Sequence, residues 1–130
     1  GHTFSGHPIG CAVALASLKI LRAENTPRKL QHIGHEMERA LAPARALPQV
    51  KEVRRCGGIV AVELHQNTLE NGYLAAVGES LRKACRAHPR VLLRPLGPVL
   101  YAMPPSCVTD EECHLIGTAM LELVEAQPDF

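Results

Sequence analysis

VKEVRRCGGIVAVEL, residues 50–64, decides how this chain folds. Residues 50–55 read as one strand and 59–64 as a second. Cys56-Gly57-Gly58 between them reads as a kink, because a glycine pair at such a point supplies backbone freedom rather than chemistry. Upstream, Leu30, Ile33, Met37 and Leu41 recur at helical spacing, so the period predicts a helix over 27–42, with Thr26 as N-cap and Pro27 in its first turn. An earlier helix over 8–23 keeps Ile9, Val13, Ala16, Ile20 and Leu21 on one broad face, with Lys19, Arg22 and Glu24 off it. Downstream, Thr68 caps a helix over 69–87 in which Leu74, Val77, Leu81 and Cys85 share a face. A short strand is expected over 91–93, a turn at Pro95-Leu96-Gly97-Pro98, and a returning strand over 99–103 stopped by Pro104-Pro105. Thr109 followed three residues later by Glu112 is a capping box, which opens a last helix over 110–126. The order is α-α-β-β-α-β-β-α. Strands joined by short turns pair antiparallel, and helices then cover one face: an α+β fold built on an antiparallel sheet.

The totals agree with one domain. The chain has 130 residues, of which 46% are hydrophobic and only 3% aromatic, with no Trp, so its core is aliphatic. A net charge of +1 gives no electrostatic reason to expect nucleic acid. The five cysteines (Cys11, Cys56, Cys85, Cys107 and Cys113) are odd in number and lack C-x-x-C spacing. That argues against a disulfide framework and a zinc site, and suits a reducing cytoplasm. No signal peptide is evident, and the apolar run at 9–18 is cut short by Lys19 and Arg22, so no membrane association is expected. The chain opens on Gly1 rather than Met, as a fragment or a processed protein would.

Two stretches could carry chemistry. GHTFSGHP, residues 1–8, is a polar, glycine-spaced loop feeding a helix. Backbone N–H groups and the helix dipole there favour an anion, and Thr3 and Ser5 add hydroxyls. It is neither G-x-G-x-x-G nor a P-loop, so the alternative is a polar loop with an N-cap. VLLRPLG, residues 91–97, sets Arg94 at the end of an apolar strand. Its planar fork suits a carboxylate; the alternative is an arginine pointing into water. His2 and His7 have no partner spacing for a metal. His32 and His35 lack the H-E-x-x-H frame, and Glu111-Glu112 suits a helix start.

Three stretches together resemble the C-terminal part of the class III, pyridoxal-phosphate-dependent aminotransferases: GHTFSGHPIGCAVALASL at 1–18, RCGGIVAVEL at 55–64 and VLLRPLGPVLYAMPPSCVTDEE at 91–112. The third is most similar to the biotin-pathway branch of that family. The resemblance implies the small C-terminal domain of a fold-type I enzyme. Residues 1–26 would be the loop and helix that follow a large cofactor domain, and 27–130 the small domain. It implies a cytoplasmic homodimer in which Thr3, with His2 beside it, meets the pyridoxal phosphate held by the other subunit. Gly1 lies by the substrate, and Arg94 pairs with the keto acid's carboxylate. In that branch the donor is S-adenosylmethionine and the acceptor 8-amino-7-oxononanoate. The family's Schiff-base lysine matches none of Lys19, Lys29, Lys51 and Lys83, so no catalytic residue is expected here and these residues alone should not transaminate. Two other readings stand beside this one: a class III ω-amino acid or ornithine-type aminotransferase, favoured by the two histidines of the first loop, and a non-catalytic α+β interaction module.

Overall fold

A computed structural model of the chain describes residues 2–65 and 76–127. The 50–64 stretch is a hairpin, β1 (Val50–Cys56) and β2 (Ile59–Leu64), joined by a two-residue loop. Gly57, the first loop residue, takes φ +55°, a left-handed conformation that a side chain would strain. A third strand, β3 (Val99–Ala102), pairs antiparallel with β2, giving the order β1-β2-β3. Period-2 alternation sends Val60, Val62 and Leu64 of β2 and Leu100 and Ala102 of β3 into the core. In β1 a register shift between Val50 and Glu52 breaks the alternation, and only Val53 is buried. The outer face is polar: Glu63 accepts from Lys51 at 2.7 Å and from Arg54 at 2.8 Å, and both bonds hold its carboxyl below the usual range.

Helices cover the other face. α1 (Pro8–Ala23) comes first, followed by α2 (Thr26–Leu41) and a short 3-10 turn (Ala42–Ala46). α3 (Ala76–Ala87) lies between β2 and β3 in the chain, and α4 (Asp110–Glu125) closes it. Ile33, Met37 and Leu41 of α2 are buried against Met120, Leu123 and Val124 of α4 and the inner face of the sheet, with Leu81 and Cys85 of α3 in the same core. At the start of α4 the expected capping box is present. The Glu112 amide donates to Thr109 Oγ1 at 3.2 Å, and the Thr109 amide donates to the Glu112 carboxylate at 2.8 Å.

Two glycines decide how closely these layers approach. A Cβ on Gly34 of α2 would lie 1.9 Å from the Gly57 carbonyl oxygen, so the hairpin loop rests directly on the helix backbone. A Cβ on Gly117 of α4 would lie 2.6 Å from the Met37 carbonyl oxygen and 2.7 Å from Ala40 Cβ.

The order of elements follows the sequence reading, with two differences in detail. Residues 91–93 are extended but join no ladder; the pairing before β3 is a single bridge, Leu96 to Val99. The Val91 amide donates to His88 Nδ1 at 3.2 Å rather than to a neighbouring strand. At the start of α2 the N-cap is Asn25, in a left-handed conformation at φ +50°, and Thr26 is already helical. Thr26 is buried, and its hydroxyl has no partner among the described residues. The expected cap at Thr68, the helix start at Leu69 and the core position Leu74 lie outside the described residues.

Gly117→Ala should destabilise the fold by about 1–3 kcal/mol, because the atoms it meets belong to the backbone and Cβ of a neighbouring helix. Gly10→Ala, whose new methyl would sit at an ordinary 3.8 Å from His7, is the control and should stabilise or leave stability unchanged. Equal urea midpoints for the two variants would show that the α2–α4 approach is not tight.

Candidate functional site

The first candidate element is the loop before α1. Residues 3–6 form tight turns: the Ser5 amide donates to the His2 carbonyl at 3.0 Å and the His7 amide to the Phe4 carbonyl at 3.2 Å. The His2 amide donates to Ser5 Oγ at 3.3 Å, and Gly6 takes φ +72°. His7 is the N-cap of α1, its Nδ1 accepting from the Gly10 amide at 3.3 Å, and its carbonyl accepts from Cys11. That role follows from its position before Pro8, and it removes His7 from the candidate ligands. It also narrows the anion site expected of the helix N-terminus, since Pro8 has no N–H and the amides of Gly10 and Cys11 are engaged. The donors without a partner among the described residues are the Thr3 hydroxyl and the amides of Thr3, Phe4, Gly6 and Ile9. Thr3 and Phe4 are exposed. This set fits a phosphate corner, with the oxygen held by one hydroxyl and adjacent backbone N–H groups. His2 is exposed on the same loop, and Gly1 lies outside the described residues.

The second element is the extended segment 91–95. Val91 and Leu93 are half-buried, Leu93 packing against the core, while Leu92 and Arg94 are exposed. Arg94 makes no ion pair among the described residues. It stands at the border of two hollows. One, of about 520 Å³, is lined by Arg82, Arg86 and Arg94 with Leu93, Pro95 and Gly97. The other, of about 370 Å³, is apolar, with Tyr101, Met103, Pro104 and Ile116 across from Arg94. Arg82 and Arg86 went unnoticed in the sequence, although their spacing of four on a helix put them on one face just before Arg94. Arg82 is paired with Glu79 at 2.7 Å.

Among the described residues, no hydrogen bond or ion pair joins the 2–7 loop to the 91–97 segment, so the two elements are separate surfaces of the chain. The remaining candidates have other occupations. His32 bonds the Asp110 carboxylate at 2.8 Å. Burial pushes the Cys85 thiol up to about 11 and, with nearby Asp110, Glu36 and Glu112, raises that of Cys113, so neither is a ready nucleophile. Among the described residues, no group of three His, Cys, Asp or Glu gathers where it could hold a metal, and no helix is long and apolar enough to cross a membrane.

Comparison with known proteins shows the family. The class III aminotransferase family model matches residues 1–124. The adenosylmethionine-8-amino-7-oxononanoate aminotransferase of Geobacter sulfurreducens is 39% identical over 119 residues, covering 89% of this chain and 26% of that protein. Its counterpart in Synechococcus elongatus is 37% identical, covering 96% and 28%. The crystal structure of the ω-transaminase from Pseudomonas jessenii in complex with PMP superposes with a TM-score of 0.79 at 30% identity, over 96% of this chain and 28% of that one. The chain therefore spans little more than a quarter of the length of these relatives. The family match runs over almost the whole sequence, and the chain belongs to the class III aminotransferases, which depend on pyridoxal phosphate.

Proposed function

We propose that this chain is the C-terminal part of an aminotransferase that carries an amino group from S-adenosylmethionine to 8-amino-7-oxononanoate in biotin synthesis. Residues 1–26 would lead from a cofactor-binding domain, and 27–130 would form the small domain. The observation that carries the reading is Arg94. An oxononanoate is a carboxylate on a long aliphatic chain, and Arg94 offers a guanidinium with no ion pair among the described residues, beside an apolar hollow. The relatives in Geobacter and Synechococcus support the same substrate pair.

Pyridoxal phosphate, when bound, supplies the electron sink that lets an amine leave one substrate and enter another. The residues of this chain bind and orient. Arg94 holds the acceptor's carboxylate through two parallel N–H···O bonds, which fixes the far end of the substrate and hence where its ketone lies. The Thr3 hydroxyl and the neighbouring amides hold the phosphate, with His2 and Gly1 beside the bound molecules. In a homodimer that phosphate would belong to the other subunit's cofactor; among the described residues no hydrogen bond or ion pair ties this loop to the Arg94 segment. The ω-amino acid reading keeps the cofactor and the arginine and changes only the donor. Its support from the first loop weakens, because His7 is committed to capping α1.

In the complete enzyme, Arg94→Ala should raise the KM for the keto acid about 10- to 100-fold, the worth of a charge-assisted pair. The half-reaction with S-adenosylmethionine should keep its rate. Equal losses in both halves would remove the carboxylate role, and a preference for an ω-amino acid donor would select the other branch.

Thr3→Val should weaken pyridoxal phosphate about tenfold or more, read by equilibrium dialysis of the complete enzyme, because a hydrogen bond to a charged oxygen is lost while the side chain's shape is kept. An unchanged dissociation constant would move the phosphate elsewhere.

The 130 residues alone, mixed with pyridoxal phosphate, should show no specific transamination. All four lysines lie exposed on the surface, and Lys29 and Lys51 are engaged with Glu24 and Glu63. Exposure leaves them without the desolvation that makes a lysine a good nucleophile near neutral pH. Stereospecific turnover by the purified chain would contradict this.

A further inference from the structure

The segment that presents Arg94 has no ladder to hold it. Among the described residues, Arg90 to Pro95 make no backbone–backbone hydrogen bond, and the first on that side is the Leu96 amide to the Val99 carbonyl at 2.8 Å. A stretch with so few backbone bonds is the kind that opens locally at little cost, which suits poorly the task of holding a guanidinium in one place. The missing bonds come from a side chain. His88, just after α3, has a side chain only 7% exposed. Its Nδ1 lies 3.3 Å from the Arg90 amide and 3.2 Å from the Val91 amide, and accepts from both. Its Nε2 lies 3.2 Å from a Glu122 carboxylate oxygen on α4. An Nδ1 that accepts carries no proton, so the ring proton sits on Nε2 and is donated to Glu122. Glu122 also takes the Arg90 guanidinium at 3.0 Å, and these partners, His88 foremost, hold its carboxyl below the usual range. The ring therefore ties α4 to two consecutive amides of an otherwise unladdered segment. Beyond Val91 the side chains alternate in and out, so anchoring Val91 sets the side on which Arg94 emerges.

We propose that His88 is a positioning residue for the substrate carboxylate: by clamping the Arg90 and Val91 amides to α4, it fixes the segment from which Arg94 projects. This rests on the reading of Arg94 given above. It gives this histidine a part in acceptor recognition without touching the acceptor.

The two ring nitrogens can be replaced one at a time in the complete enzyme. Asn at position 88 puts an amide oxygen near the place of Nδ1. Gln puts an amide N–H near the place of Nε2. His88→Gln, which loses the acceptor for the two amides, should raise the keto acid's KM about tenfold while the donor half-reaction stays within about twofold. His88→Asn should restore the KM to within about twofold of the parent despite losing Glu122. Amide exchange over residues 88–95 should quicken in the Gln variant and not in the Asn variant. A merely structural histidine would lower the melting temperature in both variants with no change in KM, or shift donor and acceptor constants together; either result overturns the proposal. If His88→Gln does not fold, His88→Asn decides alone: a KM and an exchange pattern like the parent's support the clamp, and a tenfold rise or lost protection overturns it. The Arg94→Ala enzyme separates the two ideas. If it keeps its KM, the carboxylate reading falls, and exchange over 88–95 still tells whether the clamp exists.

Discussion

The structure depends on how closely the α2 backbone can be approached. On one side the Gly57 carbonyl of the β1–β2 loop sits where a Cβ of Gly34 would be, and on the other Gly117 of α4 lets that helix settle against Met37 and Ala40. Both approaches are closer than any side chain would permit, and together they set the thickness of the helix layer over the sheet. Met37 and Leu41 can then be fully buried between the layers. An aliphatic core with so few aromatic residues gains its stability from contact area at close range, and dispersion falls off steeply with a gap of even half an ångström. The position of α4 matters for function as well, since it carries the Glu122 to which His88 is tied.

Much of this could be read from the sequence, and what could be read was local. The hairpin at 50–64, the stripe through Met37 and the capping box at Thr109 are patterns whose cause lies within a few residues of each other, and all three are present. What escaped was non-local. Nothing around Gly34 or Gly117 announces that a carbonyl from elsewhere in the chain will rest against it. The strand expected over 91–93 has the right residue types, but a strand exists only by pairing, and the Val91 amide is taken by the His88 ring instead. Asn25 and Thr26 are both good caps. Which of them caps was decided by the left-handed turn that brings α1 onto α2, and Asn tolerates that turn where Thr does not.

The same division holds for the site. Arg94 stood out because a lone arginine ending an apolar run is chemically conspicuous. His88 did not, because in sequence it is one of seven histidines and, like His7, merely precedes a proline. Its importance lies in two amides within three residues and a carboxylate 34 residues away. Arg82 and Arg86 fall between: their helical spacing was visible, but not that their helix would lie alongside the Arg94 segment.

The two candidate elements are held in place by different means. Arg94 inherits its position from the core: Leu93 packs inward, and the backbone at Arg90 and Val91 is pinned to α4 through His88. Thr3 has no such support. Its loop leads into α1, and every residue of α1 is exposed, including Ile9 at 70% and Val13 at 63%. The Asn25 turn and an ion pair between Glu24 and Lys29 at 2.8 Å link it to α2. An apolar face of that kind on a helix calls for a cover, and none of the described residues provides one. The consequence is an asymmetry in what each part of the fold controls. A change in the core that shifts α4 would be felt at Arg94, and hence at the carboxylate proposed to bind there. It would leave the Thr3 loop nearly untouched, because no packed surface carries the displacement across. The two kinds of recognition proposed for this chain, of a phosphate and of a carboxylate, are thus mechanically independent within it.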